Sequence, residues 1–193
     1  HGWIVEIDPF DPLSTPKKRT ALGRFKHENA AYALTTDGRI VVYMGDDQRN
    51  DYLYKFVSDG VYRDGGDNSA LLDRGKLYVA KFAADVSQGD FMGTGEWLLL
   101  DKQHNPILAA DGNFPSQAEV LIHARLAADA LGATKMDRPE WVSVHPTSGE
   151  VYVTLTNNDK RQNATPANPR PANVYGQIVR WREAGSDAAA TKF

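Results

Sequence analysis

Short runs rich in Val, Ile, Leu and Tyr, broken by Gly, Asp, Asn and Pro, recur along almost the whole chain. Many of them alternate apolar and polar positions, the mark of half-buried antiparallel strands. The pattern predicts strands over Gly2–Asp8, Ala31–Thr35, Arg39–Gly45, Tyr52–Ser58, Lys76–Phe82, Glu96–Asp101, Trp141–His145, Glu150–Thr156 and Gly176–Arg182. Asp37-Gly38 and Ser148-Gly149 each separate two such runs, as compact hairpin turns do. One stretch follows another period. From Ser116 to Leu131 the residues Val120, Leu121, Ala124, Ala127, Ala128 and Leu131 fall three and four apart, which predicts one amphipathic helix. Ser116 stands as its N-cap with Glu119 three residues on, and Gly132 stands where a glycine ends a helix.

The strand pattern also repeats. Glu28 is followed by the turn Thr36-Asp37-Gly38, the run Arg39–Met44, the pair Asp46-Asp47 and the run Tyr52–Phe56. Glu140 is followed by Thr147-Ser148-Gly149, Glu150–Leu155, Asn157-Asn158 and Gln177–Trp181. Two copies of a β-unit thus carry a carboxylate in register. Such units suggest blades of a β-propeller, and about two to three blades fit here where closed rings use about four to eight. The fold expected is therefore mainly β, part of a propeller over residues 1–183, with one inserted helix near 116–131. The tract Asn157–Tyr175, poor in apolar residues, reads as a long irregular connection. Residues 184–193 carry no packing pattern and are expected to form a flexible tail.

Composition narrows the function. At 193 residues, 41% hydrophobic and net charge −3, the chain has ordinary globular composition. No basic stripe supports nucleic-acid binding, and Lys17-Lys18-Arg19 reads as a solvated loop. No apolar run approaches the ~20 residues of a membrane span. There is no cysteine, so neither a disulfide nor a thiolate metal site can form within these residues. The chain opens on His1-Gly2-Trp3 in mid-pattern without a Met, which reads as a piece of a longer protein, and a soluble sheet with open edges would need the rest to cover them.

Glu28 and Glu140 are the candidate metal ligands, because carboxylates from repeated units can converge as oxygen donors for a hard cation. A solvated or hydrogen-bonded strand-end glutamate is the alternative for each. Arg138 lies two residues before Glu140, so an extended backbone would turn both side chains to one face. Its planar fork suits an oxyanion, and an ion pair with Glu140 or Asp137 is the plainer reading. Asp46-Asp47 and Asn157-Asn158 read first as turn formers and second as oxygen ligands. His27, beside Glu28, would face away and pack. Neither a nucleophile elbow nor a phosphate-binding glycine loop is present.

At these residues the chain resembles the PhoX family of secreted bacterial alkaline phosphatases. The resembling motifs are Gly23–Glu28, Tyr43–Asp47, Tyr52–Phe56, Leu77–Phe82, Gly132–Trp141, Val151–Asn158 and Gly176–Trp181, in family order from Gly23 to Glu183. The resemblance implies a propeller with a calcium and iron centre, hydrolysis of phosphate monoesters, and export to the periplasm or cell exterior by the twin-arginine route. Carried over by motif, it implies Glu28 and Glu140 as metal ligands and Arg138 as a contact to substrate phosphate. Family members are several times longer, and their remaining ligands, a cysteine among them, are expected outside these residues. The 193 residues alone are accordingly expected to be inactive and to associate with the remainder of the propeller. The alternatives are a non-catalytic propeller binding module and another calcium-dependent propeller hydrolase, a lactonase or phosphotriesterase.

Overall fold

Alternation along the strands builds two antiparallel meanders that pack face to face. In a computed structural model, which describes residues 1–83 and 91–193, the first meander runs β3 (Ala31–Leu34), β4 (Arg39–Gly45), β5 (Leu53–Val61), β6 (Gly75–Ala83) and β7 (Thr94–Leu99), each strand paired with the next. The second runs β8 (Pro139–Val144), β9 (Val151–Leu155) and β10 (Gln177–Trp181). A two-stranded ribbon, β1 (Val5–Glu6) with β2 (Lys17–Lys18), stands apart. Between the meanders in sequence come α1 (Pro106–Ala110), α2 (Gln117–Ile122) and α3 (Ala124–Ala130).

Strand periodicity divides the core in two. On one face of the large sheet Val42, Met44, Tyr54, Phe56, Leu77 and Val79 meet the helices through Val120, Ala124, Ala127 and Ala128. On the other face Val41, Tyr43, Leu53, Val57 and Trp97 meet the small sheet through Val142, Val151, Val153, Leu155 and Trp181. β4 and β5 are therefore covered on both sides, which is why their sequences run apolar rather than alternating. The repeat seen in the sequence is present in the topology: β3-β4-β5 and β8-β9-β10 are both meanders, and Gly38 and Gly149 each take a left-handed φ, of 85° and 69°, at the first turn.

Several expectations change. The single helix over 116–131 is two helices, because His123 adopts φ −110°, ψ 40° at their junction. Its apolar face and both ends hold: Ser116 Oγ accepts from Glu119 N, and Gly132 takes φ 65°. The strand over Gly2–Asp8 shrinks to Val5–Glu6, for its neighbour offers only Lys17–Lys18 to pair with. Arg19 is buried rather than solvated, held by Glu6, Asp73 and the carbonyl of Ser69.

The tail 184–193 does not fray here. Residues 191–193 extend the large sheet beyond β7, with Phe193 N–H donating to Gly95 O at 2.9 Å and Trp97 N–H to Thr191 O at 2.9 Å. Phe193 packs among Phe82, Trp97 and Trp181. Underneath, Lys55 is a buried ammonium on an apolar face of β5, and its Nζ donates to Ala188 O, Ala190 O and Glu183 Oε1 at 3.2, 2.6 and 3.3 Å. Glu183 also accepts from Tyr43 Oη and from the indole N–H groups of Trp97 and Trp181. Two charges have left water, and each has its hydrogen bonds made.

Burial lowers the Lys55 ammonium to about 8 against the attraction of Glu183. Between about pH 8 and the ordinary lysine value of 10.5 the unfolded chain keeps a proton that the folded chain has released. This group therefore makes the fold gain stability as pH rises through that window. Lys55→Met should abolish the gain and, by leaving Glu183 buried alone, cost about 3–5 kcal/mol at pH 7. Adding Glu183→Gln should restore much of it. Urea unfolding of the wild type and the two variants at pH 7 and at the top of that window checks this, and an undamaged single variant would refute it.

Candidate active site

Three backbone segments meet at Gly45, the last residue of β4. Glu28 N–H donates to Gly45 O at 3.3 Å, and Asp47 N–H donates to Lys26 O at 3.0 Å, so residues 26–28 run against 45–47. From the other side comes the start of β8. A Cβ on Gly45 would lie 2.5 Å from Glu140 O and 2.6 Å from Pro139 O, so no residue but glycine fits there. Asn29 locks the arrangement, its amide giving to Val142 O and accepting from Val142 N.

β8 is irregular where it carries the site. Pro139 pairs with Leu155 and Val142 with Val153, so Glu140 and Trp141 together face the single residue Thr154. This is a β-bulge, a device that re-aims a side chain. Thr154 Oγ1 accepts from the Trp141 N–H left without a ladder partner. Immediately before β8, Arg138 takes φ 59°, a left-handed conformation that costs a non-glycine residue about 1–2 kcal/mol. Its carbonyl accepts from Thr156 N at 3.4 Å.

These constraints gather Glu28, Asp47, Arg138 and Glu140. Arg138 Nε donates to Asp47 Oδ1 at 2.8 Å and Nη2 to Asp47 Oδ2 at 2.9 Å, while Nη2 lies 3.5 Å from Glu140 Oε1. Asp47, Glu140 and Glu28 all hold the guanidinium further into its charged form, Asp47 most strongly. The shared face expected for Arg138 and Glu140 is thus present, but a left-handed residue and a bulge produce it rather than strand alternation. Asp137, the other expected partner, is buried against Arg161 of the long connection, Nε to Oδ1 at 2.6 Å. Asn168 and Arg161 both donate to Lys135 O, so residues 157–175, irregular as expected, form a buttress for 135–138.

Asp46 and Asp47 are not the turn formers that sequence spacing favoured. Asp46 is buried, accepting from Lys26 N and from Arg125 of α3, whose Nε lies 2.7 Å from Oδ2. Asp47 meets a cation from the other repeat. Asn158 does bond its local backbone, accepting from Lys160 N, but its amide also reaches Asn50. His27 packs as expected: it stacks on Phe25, its Nε2 donates to Gly23 O at 3.0 Å, and burial lowers it to about 4. No sequence signal marked Asp47 for Arg138, since the pair joins residues 91 positions apart.

Glu28 is exposed and its carboxylate makes no hydrogen bond or ion pair among the described residues, and the Glu140 carboxylate has only the 3.5 Å approach of Arg138. Two carboxylates with free lone pairs fit a hard cation chemically. Among the described residues, however, no three His, Cys, Asp or Glu side chains are grouped to hold a metal. Any centre here would need ligands from elsewhere.

The sequence profile of the alkaline phosphatase PhoX family matches residues 1–193. The chain belongs to that family. Among solved structures it is similar to Pseudomonas fluorescens PhoX in complex with vanadate, a transition state analogue, at 57% identity and a TM-score of 0.93. That match covers 100% of this chain and 34% of the other, so the chain spans about a third of that relative's length. No curated protein matches. Family membership accounts for the mainly β architecture, and no helix among the described residues is long and apolar enough to cross a membrane.

Gly45 should be the least replaceable glycine of the site. Gly45→Ala forces a methyl against two backbone carbonyls and should cost about 1–3 kcal/mol by overpacking. Gly149→Ala, with open space around its Cβ but a φ of 69°, should cost about 1 kcal/mol from backbone strain alone. Denaturant midpoints of the two variants, measured side by side, check the order.

Proposed function

We propose that this chain is the part of a metal-dependent alkaline phosphatase that supplies the phosphate-binding arginine and two metal-binding carboxylates. The observation that carries the reading is Arg138, held on a strained backbone by a side-on carboxylate with Glu140 beside it, within a chain that matches the family profile over its whole length. The vanadate complex of the P. fluorescens relative supports phosphate esters as the substrate class. In this reading the two meanders are propeller blades, and the rest of the enzyme covers their open edges and adds the remaining ligands. Calcium and iron are the metals that the family resemblance implies, and a periplasmic or extracellular location goes with it.

The division of labour follows from charge. The metal centre would supply positive charge to neutralise phosphate oxygens. Glu28 and Glu140 would hold it, each with carboxylate oxygens that the fold leaves uncommitted. Arg138 would bind the transferring phosphoryl group through its remaining N–H donors and stabilise the charge that builds on the equatorial oxygens. Because a guanidinium stays charged at alkaline pH, this contact persists where the ester is turned over. With two carboxylates and no cysteine, residues 1–193 alone are expected to be inactive.

In the full-length enzyme, Arg138→Ala should lower kcat/KM for a phosphomonoester by about 10²–10³, the usual loss for one transition-state donor. Glu28→Ala and Glu140→Ala should each lower bound metal as read by elemental analysis. Full metal content in both variants would remove the ligand assignment, and unchanged turnover in Arg138→Ala would remove the phosphate contact. A substrate panel of mono-, di- and triesters with lactones separates this reading from a lactonase or phosphotriesterase.

A further inference from the structure

Both carboxylate oxygens of Asp47 are engaged by one side of the Arg138 guanidinium, at 2.8 and 2.9 Å. Two parallel bonds fix the plane of the fork as well as its position. They use two of its five N–H donors, and Nη1 keeps both hydrogens with no acceptor among the described residues. Asp47 is itself immobilised. Its N–H is bonded to Lys26 O, and the preceding Asp46 is buried and clamped between Lys26 N and Arg125 of α3. The backbone of Arg138 is held separately, through Thr156 N–H and the buried Asp137–Arg161 pair next to it. The long arginine side chain is thus tied at both ends, with one edge left open.

We propose that Asp47 is the positioning residue for Arg138, holding the guanidinium in one plane so that its Nη1 edge meets the phosphoryl group. This rests on the reading of Arg138 as the phosphate contact. Asp47 touches no substrate in this scheme and acts only through the arginine. Orientation of this kind is worth much in catalysis, because a misplacement of about 1 Å at a reacting group can cost about a hundredfold in rate.

A double-mutant cycle in the full-length enzyme tests it, comparing Asp47→Ala, Arg138→Ala and the double variant. The readouts are kcat and KM for a phosphomonoester, inhibition by vanadate, and bound metal. Asp47→Ala should lower kcat/KM by about 10- to 100-fold and weaken vanadate inhibition by a similar factor, with metal content unchanged. The double variant should be no worse than Arg138→Ala, since Asp47 has nothing left to position. Asp47→Glu should recover part of the loss because it still offers two acceptors; Asp47→Asn, which presents an NH2 to the guanidinium, should recover little. If Asp47→Ala does not fold, Asp47→Asn takes its place in the cycle. Losses that multiply in the double variant, or a fully active Asp47→Ala beside an impaired Arg138→Ala, would overturn the positioning role alone. So would loss of metal in Asp47→Ala. An unimpaired Arg138→Ala would take down both the phosphate contact and this inference.

Discussion

The backbone contact at Gly45 is the constraint from which the site is built. Here the end of β4 passes so close to the carbonyls of Pro139 and Glu140 that no side chain can stand between them. The contact brings the two meanders together at their corresponding ends and sets Glu28, bonded to Gly45 O, opposite Glu140. Everything polar at the site then has to be accommodated around a junction that cannot move apart. The bulge at Glu140–Trp141 and the left-handed Arg138 are the local deformations by which β8 meets it. Strain of this kind persists only where the surroundings over-determine it, and here Asn29, Thr154 and Thr156 each supply a hydrogen bond that does so.

Ion pairs with at least one buried partner mark the other places where distant segments are joined. Arg125–Asp46 ties α3 to the end of β4, Arg161–Asp137 ties the long connection to the approach to β8, Arg19 ties the ribbon to the β5–β6 connection, and Lys55–Glu183 ties the tail to the middle of the large sheet. Against a well-packed apolar alternative such pairs contribute little net stability. Their effect is selective: any arrangement that separates the partners leaves a charge in the core unpaired. Three of the four lie beside the site or beneath the sheet interface that shapes it. A rigid scaffold under Arg138 suits the phosphate contact proposed for it.

The arrangement separates two kinds of carboxylate. Asp46, Asp47 and Asp137 are committed to arginines and serve to hold the frame. Glu28 and Glu140 keep oxygens uncommitted and sit at equivalent ends of the two repeats. In the reading proposed above, this division leaves the glutamates for metal and the arginine for phosphate, with the aspartates as supports. Under that reading the two glutamates would need further ligands, since no three such side chains are grouped among the described residues.

Much of this was legible in the sequence. The run Arg39–Gly45 was predicted and observed with the same bounds, because a strand buried on both faces leaves an unbroken apolar signal between Gly and Asp punctuation. The repeat was legible because a meander reproduces its turns and strands in order, and Glu28, Arg138 and Glu140 were singled out on that ground and on family motifs. The helix face over Val120–Leu131 was correct while its break at His123 was not, since periodicity records which residues are buried and says little about one residue's dihedral angles. Neither the docking of residues 184–193 nor the pairing of Asp47 with Arg138 left a mark on the chain. Both are contacts between segments far apart in sequence, and a single aspartate or a short tail looks the same whether water or a partner meets it. Local pattern determined the strands, the turns and the residues that could do chemistry; only the tertiary structure decided which carboxylate would hold the arginine, because that depends on how two sheets come together at Gly45.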